Sequence, residues 1–112
     1  MRPAFELAVQ DPYGVAVAAR LGVDRIELCA ALPLGGVTPS QGLIEAAAAG
    51  PPAHVLVRPR PGGFDYTPDE AALIVADVRH ALAAGAAGVV VGGVRAGQVD
   101  DDLITRVVDA AA

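Results

Sequence analysis

Four helix-start signals recur along the chain, each behind a short apolar run, and no other feature restricts the fold as tightly. The runs are Phe5-Glu6-Leu7-Ala8-Val9, Arg25-Ile26-Glu27-Leu28-Cys29, His54-Val55-Leu56-Val57-Arg58 and Gly88-Val89-Val90-Val91. Their length and branching read as buried strands. Behind the first, Asp11-Pro12 offers an N-cap acid and a proline at the first helical position, so a helix is expected to about Leu21. Thr38-Pro39-Ser40-Gln41 and Thr67-Pro68-Asp69-Glu70 both spell a capping box, with the threonine as N-cap. Asp100-Asp101-Asp102 sets negative charge against the positive end of a fourth helix, and Gly22, Gly50 and Gly85 stand where left-handed residues would close the first three. In the third helix Ile74, Val78 and Leu82 form an apolar stripe that leaves Asp77 and Arg79 outside it.

Strands that alternate with helices imply parallel, right-handed crossovers. Eight such units close a barrel of ~250 residues. The 112 residues present carry four, so the expected fold is α/β, a single domain over residues 1–112 that forms the parallel (βα)4 half of a TIM (β/α)8 barrel. An open, doubly wound four-stranded sheet is the competing architecture. Half a barrel leaves two strand edges unpaired. The chain therefore reads as a truncated fragment of a longer protein, without independent function, or as one that associates, two copies making up an eight-stranded ring.

Charge narrows the classes of function. Eight arginines stand against thirteen acids, for a net charge of −5 and a sequence pI near 4.7, which leaves no basic surface for nucleic acid. No stretch approaches the roughly 18 apolar residues of a membrane span, and no signal-peptide run follows Met1, so a cytoplasmic protein is expected. One cysteine and two separated histidines spell neither a disulfide nor a short zinc pattern.

Strand parity selects the candidate functional residues. Phe5, Leu7, Val9, Ile26, Leu28, Val55 and Val57 share one face, and Glu6, Glu27, Cys29 and Arg58 share the other. In a barrel the second set lines the lumen. Glu6, Glu27 and Arg58 are the catalytic candidates, in which a glutamate handles a proton and an arginine orients a small anionic or carbonyl ligand. The same residues would also serve as a purely structural ion-pair layer. Arg60 shares the parity of Arg58 and lies just past the carboxyl end of its strand, where parallel α/β folds place ligands. Arg58, Arg60, Gly62, Gly63 and Asp65 are thus candidate ligand-binding residues. Gly35-Gly36, Gly62-Gly63 and Gly92-Gly93 all fall in loops after strands, where backbone N–H groups approach an anion or simply make tight turns. His54 and His80 read as structural. There is no GxGxxG and no P-loop lysine.

Asp24-Arg25-Ile26-Glu27-Leu28-Cys29, followed by Gly35-Gly36-Val37-Thr38-Pro39-Ser40 and Val57-Arg58-Pro59-Arg60, closely resembles the CutC family, named for copper homeostasis. The resemblance runs through almost the whole chain. It implies a cytoplasmic TIM-barrel protein of about twice this length, linked to copper tolerance or Cu(I) binding, whose partners are copper or a small molecule. Carried over position by position, the family's inward charged residues fall on Glu6, Glu27, Arg58 and Arg60, and its Cu(I)-associated cysteine falls on Cys29. Ala8 stands where some members have a second cysteine, and soft Cu(I) takes two or more sulfur ligands. The loop Arg60-Pro61-Gly62-Gly63-Phe64-Asp65-Tyr66 departs from the family pattern, and the family's later His-Arg-Ala-Phe-Asp segment is not among these residues.

Overall fold

A computed structural model describes all residues, 1–112. Strands β1 (Glu6–Val9), β2 (Arg25–Leu28), β3 (Ala53–Leu56) and β4 (Gly88–Val90) form one parallel sheet in sequence order. Helices α1 (Pro12–Leu21), α2 (Gln41–Ala47), α3 (Pro68–Ala83) and α4 (Asp101–Ala111) follow the four strands in turn. The unbroken order 1-2-3-4 removes the doubly wound alternative, whose strand order reverses at a switch point. This is a (βα)4 half barrel.

All four helices cover the same sheet face. Ile26, Leu28, Val55 and Val57 from the strands meet Ala18, Ile44, Ala47, Ile74, Val78, Ala81, Leu103 and Val107 from the helices in one core. Phe5 shares the parity of that face but remains 56% exposed, because it precedes β1 at an edge that no helix covers.

The caps decide where each helix begins. Asp11 accepts from the Gly14 N–H at 2.7 Å, Thr67 and Glu70 form the reciprocal box, and Asp100 accepts from the Leu103 N–H at 3.2 Å. The second helix differs from expectation. Its N-cap is Ser40, whose Oγ accepts from the Leu43 N–H, while the Thr38 hydroxyl is held by the backbone of Arg58. With the Thr38 hydroxyl committed to the Arg58 backbone, the cap falls to Ser40, two residues on. Gly22 and Gly85 have the expected positive φ, at 70° and 110°. Gly50 does not. The helix before it ends at Ala47, and a Cβ on Gly50 would come within 2.9 Å of Val15, so this glycine serves the close approach of α1 and α2.

Two features were not expected, the first a single 3-10 turn at Leu32–Leu34 in the loop after β2. The second lies between β4 and α4, where the chain forms a small antiparallel hairpin of β5 (Val94–Arg95) and β6 (Gln98–Val99), turning through Ala96 and Gly97 at φ 52° and 76°. Its Val94 N–H donates to the Phe64 carbonyl at 2.9 Å, tying the loop after β4 to the loop after β3.

Candidate functional site

In a parallel ladder, paired residues point to the same side of the sheet. The pairs Glu6–Arg25, Ala8–Glu27, Glu27–His54 and His54–Gly88 therefore run across the concave face opposite the helices. Its floor holds a three-strand cluster. The Arg25 Nε lies 2.5 Å from a Glu6 carboxylate oxygen, and that oxygen is 3.7 Å from His54 Nδ1. Arg25 and His54 are the residues that sequence reasoning missed here. The parity of Arg25 with Glu27 was the available signal, and for His54 it was the alternation through Leu56 to Arg58. Gly88 gives the His54 ring its room, since a Cβ there would stand 3.2 Å from it.

Glu27 sits at the middle of this face, half-buried, and belongs neither to the ion pairs Arg2–Asp24, Glu6–Arg25, Arg60–Glu70 and Arg95–Asp100 nor to the contact between Glu6 and His54. Beside it, Cys29 is fully buried, with Sγ 3.6 Å from the Val9 carbonyl oxygen. Burial, and secondarily the Glu27 charge, push its thiol up, so it is held in the neutral S–H form. No group of three or more His, Cys, Asp or Glu side chains is placed to hold a metal ion. A lone, neutral, buried thiol does not fit Cu(I), which takes thiolates in pairs or larger sets.

At the carboxyl ends of the strands both arginines face main-chain oxygens. Arg58 donates from Nη1 to the carbonyls of Gly36 at 2.8 Å and Leu34 at 3.2 Å, and from Nη2 to that of Gly62 at 2.9 Å. Its buried Nε has no partner, and its guanidinium stacks 5.2 Å from the centre of the Phe64 ring. Arg60 pairs with Glu70, Nε to Oε2 at 2.5 Å, and donates to the carbonyls of Gly63 at 2.7 Å and Asp65 at 3.1 Å. The Arg60 guanidinium holds the Glu70 carboxyl below its ordinary range, helped by the Thr67 N–H. Glu70 thus joins a helix cap to the rim, a connection invisible in spacing alone.

Of the sequence-selected residues, Glu6 and Glu27 share the concave face with Cys29, but only Glu6 is paired. Arg58, Arg60, Gly62, Gly63 and Asp65 meet at the rim, where the last three lend their carbonyls to the two arginines. The Asp65 carboxylate and the Gly62 and Gly63 N–H groups stand outside this network. Chemically, the face offers one unpaired carboxylate beneath a mouth shaped by two arginine-braced loops.

Comparison with known proteins agrees with this architecture. A crystal structure of the copper homeostasis protein CutC from Streptococcus agalactiae superposes with a TM-score of 0.90 at 26% identity, covering 98% of this chain and 55% of that one. Oxaloacetate acetylhydrolase, solved with its product oxalate, superposes at 0.61 with 19% identity over 96% of this chain and 42% of its own, and shows the fold alone. A CutC family protein of Sinorhizobium medicae is 43% identical over 99% of this chain and 46% of its own length. One from Agrobacterium fabrum is 51% identical over 81% of this chain and 37% of its own length. The chain thus spans about half the length of the curated relatives it matches. With the CutC family profile matching residues 4–112, the chain belongs to the CutC family.

Proposed function

We propose that the chain serves copper homeostasis in the cytoplasm as the N-terminal half of a CutC-type barrel, and that it does so without holding Cu(I) at Cys29. The family match over residues 4–112 carries the first part, together with the name of the Streptococcus agalactiae relative. The buried, neutral thiol supports the second. The test has two arms. Expression of the chain, alone or within its longer parent, should restore copper tolerance to a strain lacking its own CutC gene; unchanged sensitivity with both would remove the copper role. Cu(I) titrated against a coloured chelator should then show no difference between the natural chain and Cys29→Ala. Uptake that disappears with the cysteine would restore the direct metal site.

The unpaired Glu27 favours a second reading, in which the complete barrel binds a small anionic or carbonyl ligand above this carboxylate. Arg58 and Arg60 order the loops around it, and Glu27 exchanges a proton with it. Glu27→Gln in the complete barrel should abolish ligand binding and leave the melting temperature nearly unchanged. Retained binding would make Glu27 a spectator.

A further inference from the structure

Of the eight arginines, Arg2, Arg25, Arg60 and Arg95 hold carboxylates and Arg58 holds main-chain carbonyls. Arg20 stands in the last turn of α1, where a cation suits the helix dipole. Arg79 and Arg106 have neither role. With Ala72, Val75 and Asp109 they line a hollow of about 330 Å³ between α3 and α4, in the helix layer rather than on the concave face. We propose that this hollow binds a small zwitterion with two carboxylates, the class of the acidic amino acids, its carboxylates on Arg79 and Arg106 and its ammonium on Asp109.

Both walls of the hollow come from helices that pack directly on each other. On α3, Ala72, Val75 and Arg79 follow one another at spacings of three and four, beside the core stripe of Ile74, Val78 and Ala81. On α4, Arg106 and Asp109 are one turn apart, beside Leu103 and Val107 of the core. Val75 is buried and forms the floor, while Arg79, Arg106 and Asp109 are exposed at the sides. The seam between α3 and α4 alone sets this shape.

The two guanidinia reach this hollow by different routes. Arg79 has no acid within helical reach, since Val75, Ala76, Leu82 and Ala83 occupy the positions three and four residues away. Arg106 has Asp102 four residues before it, the favoured order for a helical pair, and Asp109 three residues after it, yet it pairs with neither. Folding therefore leaves both cations free at one place in a chain whose net charge is −5. Like charges that share a hollow repel each other until an anion enters.

The chemistry of the lining selects the ligand. A guanidinium takes a carboxylate through two parallel hydrogen bonds, so two arginines suit two carboxylates or one doubly charged group. Asp109 decides what else the ligand carries. Its carboxylate belongs to no ion pair, repels a bare dianion and attracts an ammonium. Ala72 and Val75 offer only carbon, against which a short methylene chain can lie. An apolar floor with a few convergent polar groups is the ordinary form of a small-molecule site. The ion pairs formed there are exposed, so binding is weak and falls with added salt.

Calorimetric titration of the complete barrel at low ionic strength tests this, with L-aspartate, L-glutamate, glutarate and inorganic phosphate as probes. At least one of the two amino acids should bind saturably, and several-fold more tightly than glutarate or phosphate, which lack the ammonium. Arg79→Gln and Arg106→Gln should each weaken that amino acid by about ten-fold, the loss expected for one charge-assisted contact, and leave the melting temperature of the ligand-free protein unchanged. Asp109→Asn should weaken the amino acid and tighten glutarate, two opposite movements that a general loss of structure would not produce. No saturable binding of either amino acid would overturn the proposal, as would phosphate or glutarate binding equally well, or amino-acid binding that survives both arginine substitutions. Amino-acid binding lost in Glu27→Gln but kept in Arg79→Gln would also overturn it and move the ligand to the concave face.

Discussion

Arg58 Nη1 and the carbonyl oxygen of Gly36 are 2.8 Å apart, joining the end of β3 to the loop that follows β2. The same guanidinium reaches Gly62 in its own loop, so one side chain bridges two successive β–α loops. Removing it strips donors from the carbonyls of Leu34, Gly36 and Gly62. Arg58→Ala should therefore lower stability by about 2 kcal/mol in urea unfolding, since these are charge-assisted bonds at a half-exposed rim. Hydrogen exchange should quicken in both loops. Arg58→Lys should recover only part of the loss, because an ammonium lacks the planar fork that spans both loops. An unchanged unfolding midpoint in Arg58→Ala would show the bridge to be idle.

The two concave-face glutamates should separate cleanly. Glu6→Ala breaks the pair with Arg25 and should cost about 0.5–1 kcal/mol, the range for a partly exposed ion pair. Glu27→Gln removes no partner and should lie within about 0.5 kcal/mol of the natural chain. Chemical denaturation of the two variants under one buffer measures the contrast. Equal losses would mean that Glu27 has a partner in solution.

Cys29 should be inert while the chain is folded. A chromogenic disulfide reagent at mildly alkaline pH should label it at least ~100-fold more slowly than it labels a free cysteine peptide, because attack needs an exposed thiolate. Labelling should become complete on adding urea. Rapid labelling of the native chain would mean that the strand ends open.

Asp24 gives the acid limb of the stability curve a defined origin. The Arg2 guanidinium, 2.7 Å away, and the Phe5 N–H hold its carboxyl down to about 2. Because the folded value lies below the unfolded one of about 3.9, the contribution is fully present above that value. It is lost as pH falls through it toward 2. The gap in melting temperature between the natural chain and Asp24→Asn should thus be constant near neutrality and narrow below about pH 4. A gap that persists at the acid end would exclude the ion pair as its source.

Much of this architecture is legible in the sequence because local signals and global pattern agree. Asp11, Thr67 and Asp100 cap where their spacing places them, and the alternation of Ile26, Leu28, Val55 and Val57 selects the face that the helices bury. The second cap was misplaced because Thr38 and Ser40 both satisfy the local rule, and only the tertiary bond from Thr38 to Arg58 decides between them. The hairpin of β5 and β6 escaped because its strands are two residues each and its turn places an alanine, Ala96, at positive φ where a glycine or asparagine would have announced it. At the site, parity brings Glu6 and Glu27 to one face, yet nothing local shows that Arg58 faces carbonyls or that Arg60 is engaged by Glu70. Those partnerships depend on loop paths, which spacing does not encode.

The bracing of those loops has a kinetic side. An unbraced glycine-rich mouth would have to be ordered by whatever enters it, at about 1–2 kcal/mol of backbone entropy per residue fixed. Here Arg58 and Arg60 complete that ordering during folding, with donors already lodged on the carbonyls of Gly36, Gly62 and Gly63. A visitor to this mouth meets a surface whose shape precedes it, so encounter should be governed by diffusion and fit, and selectivity by what the rigid opening excludes.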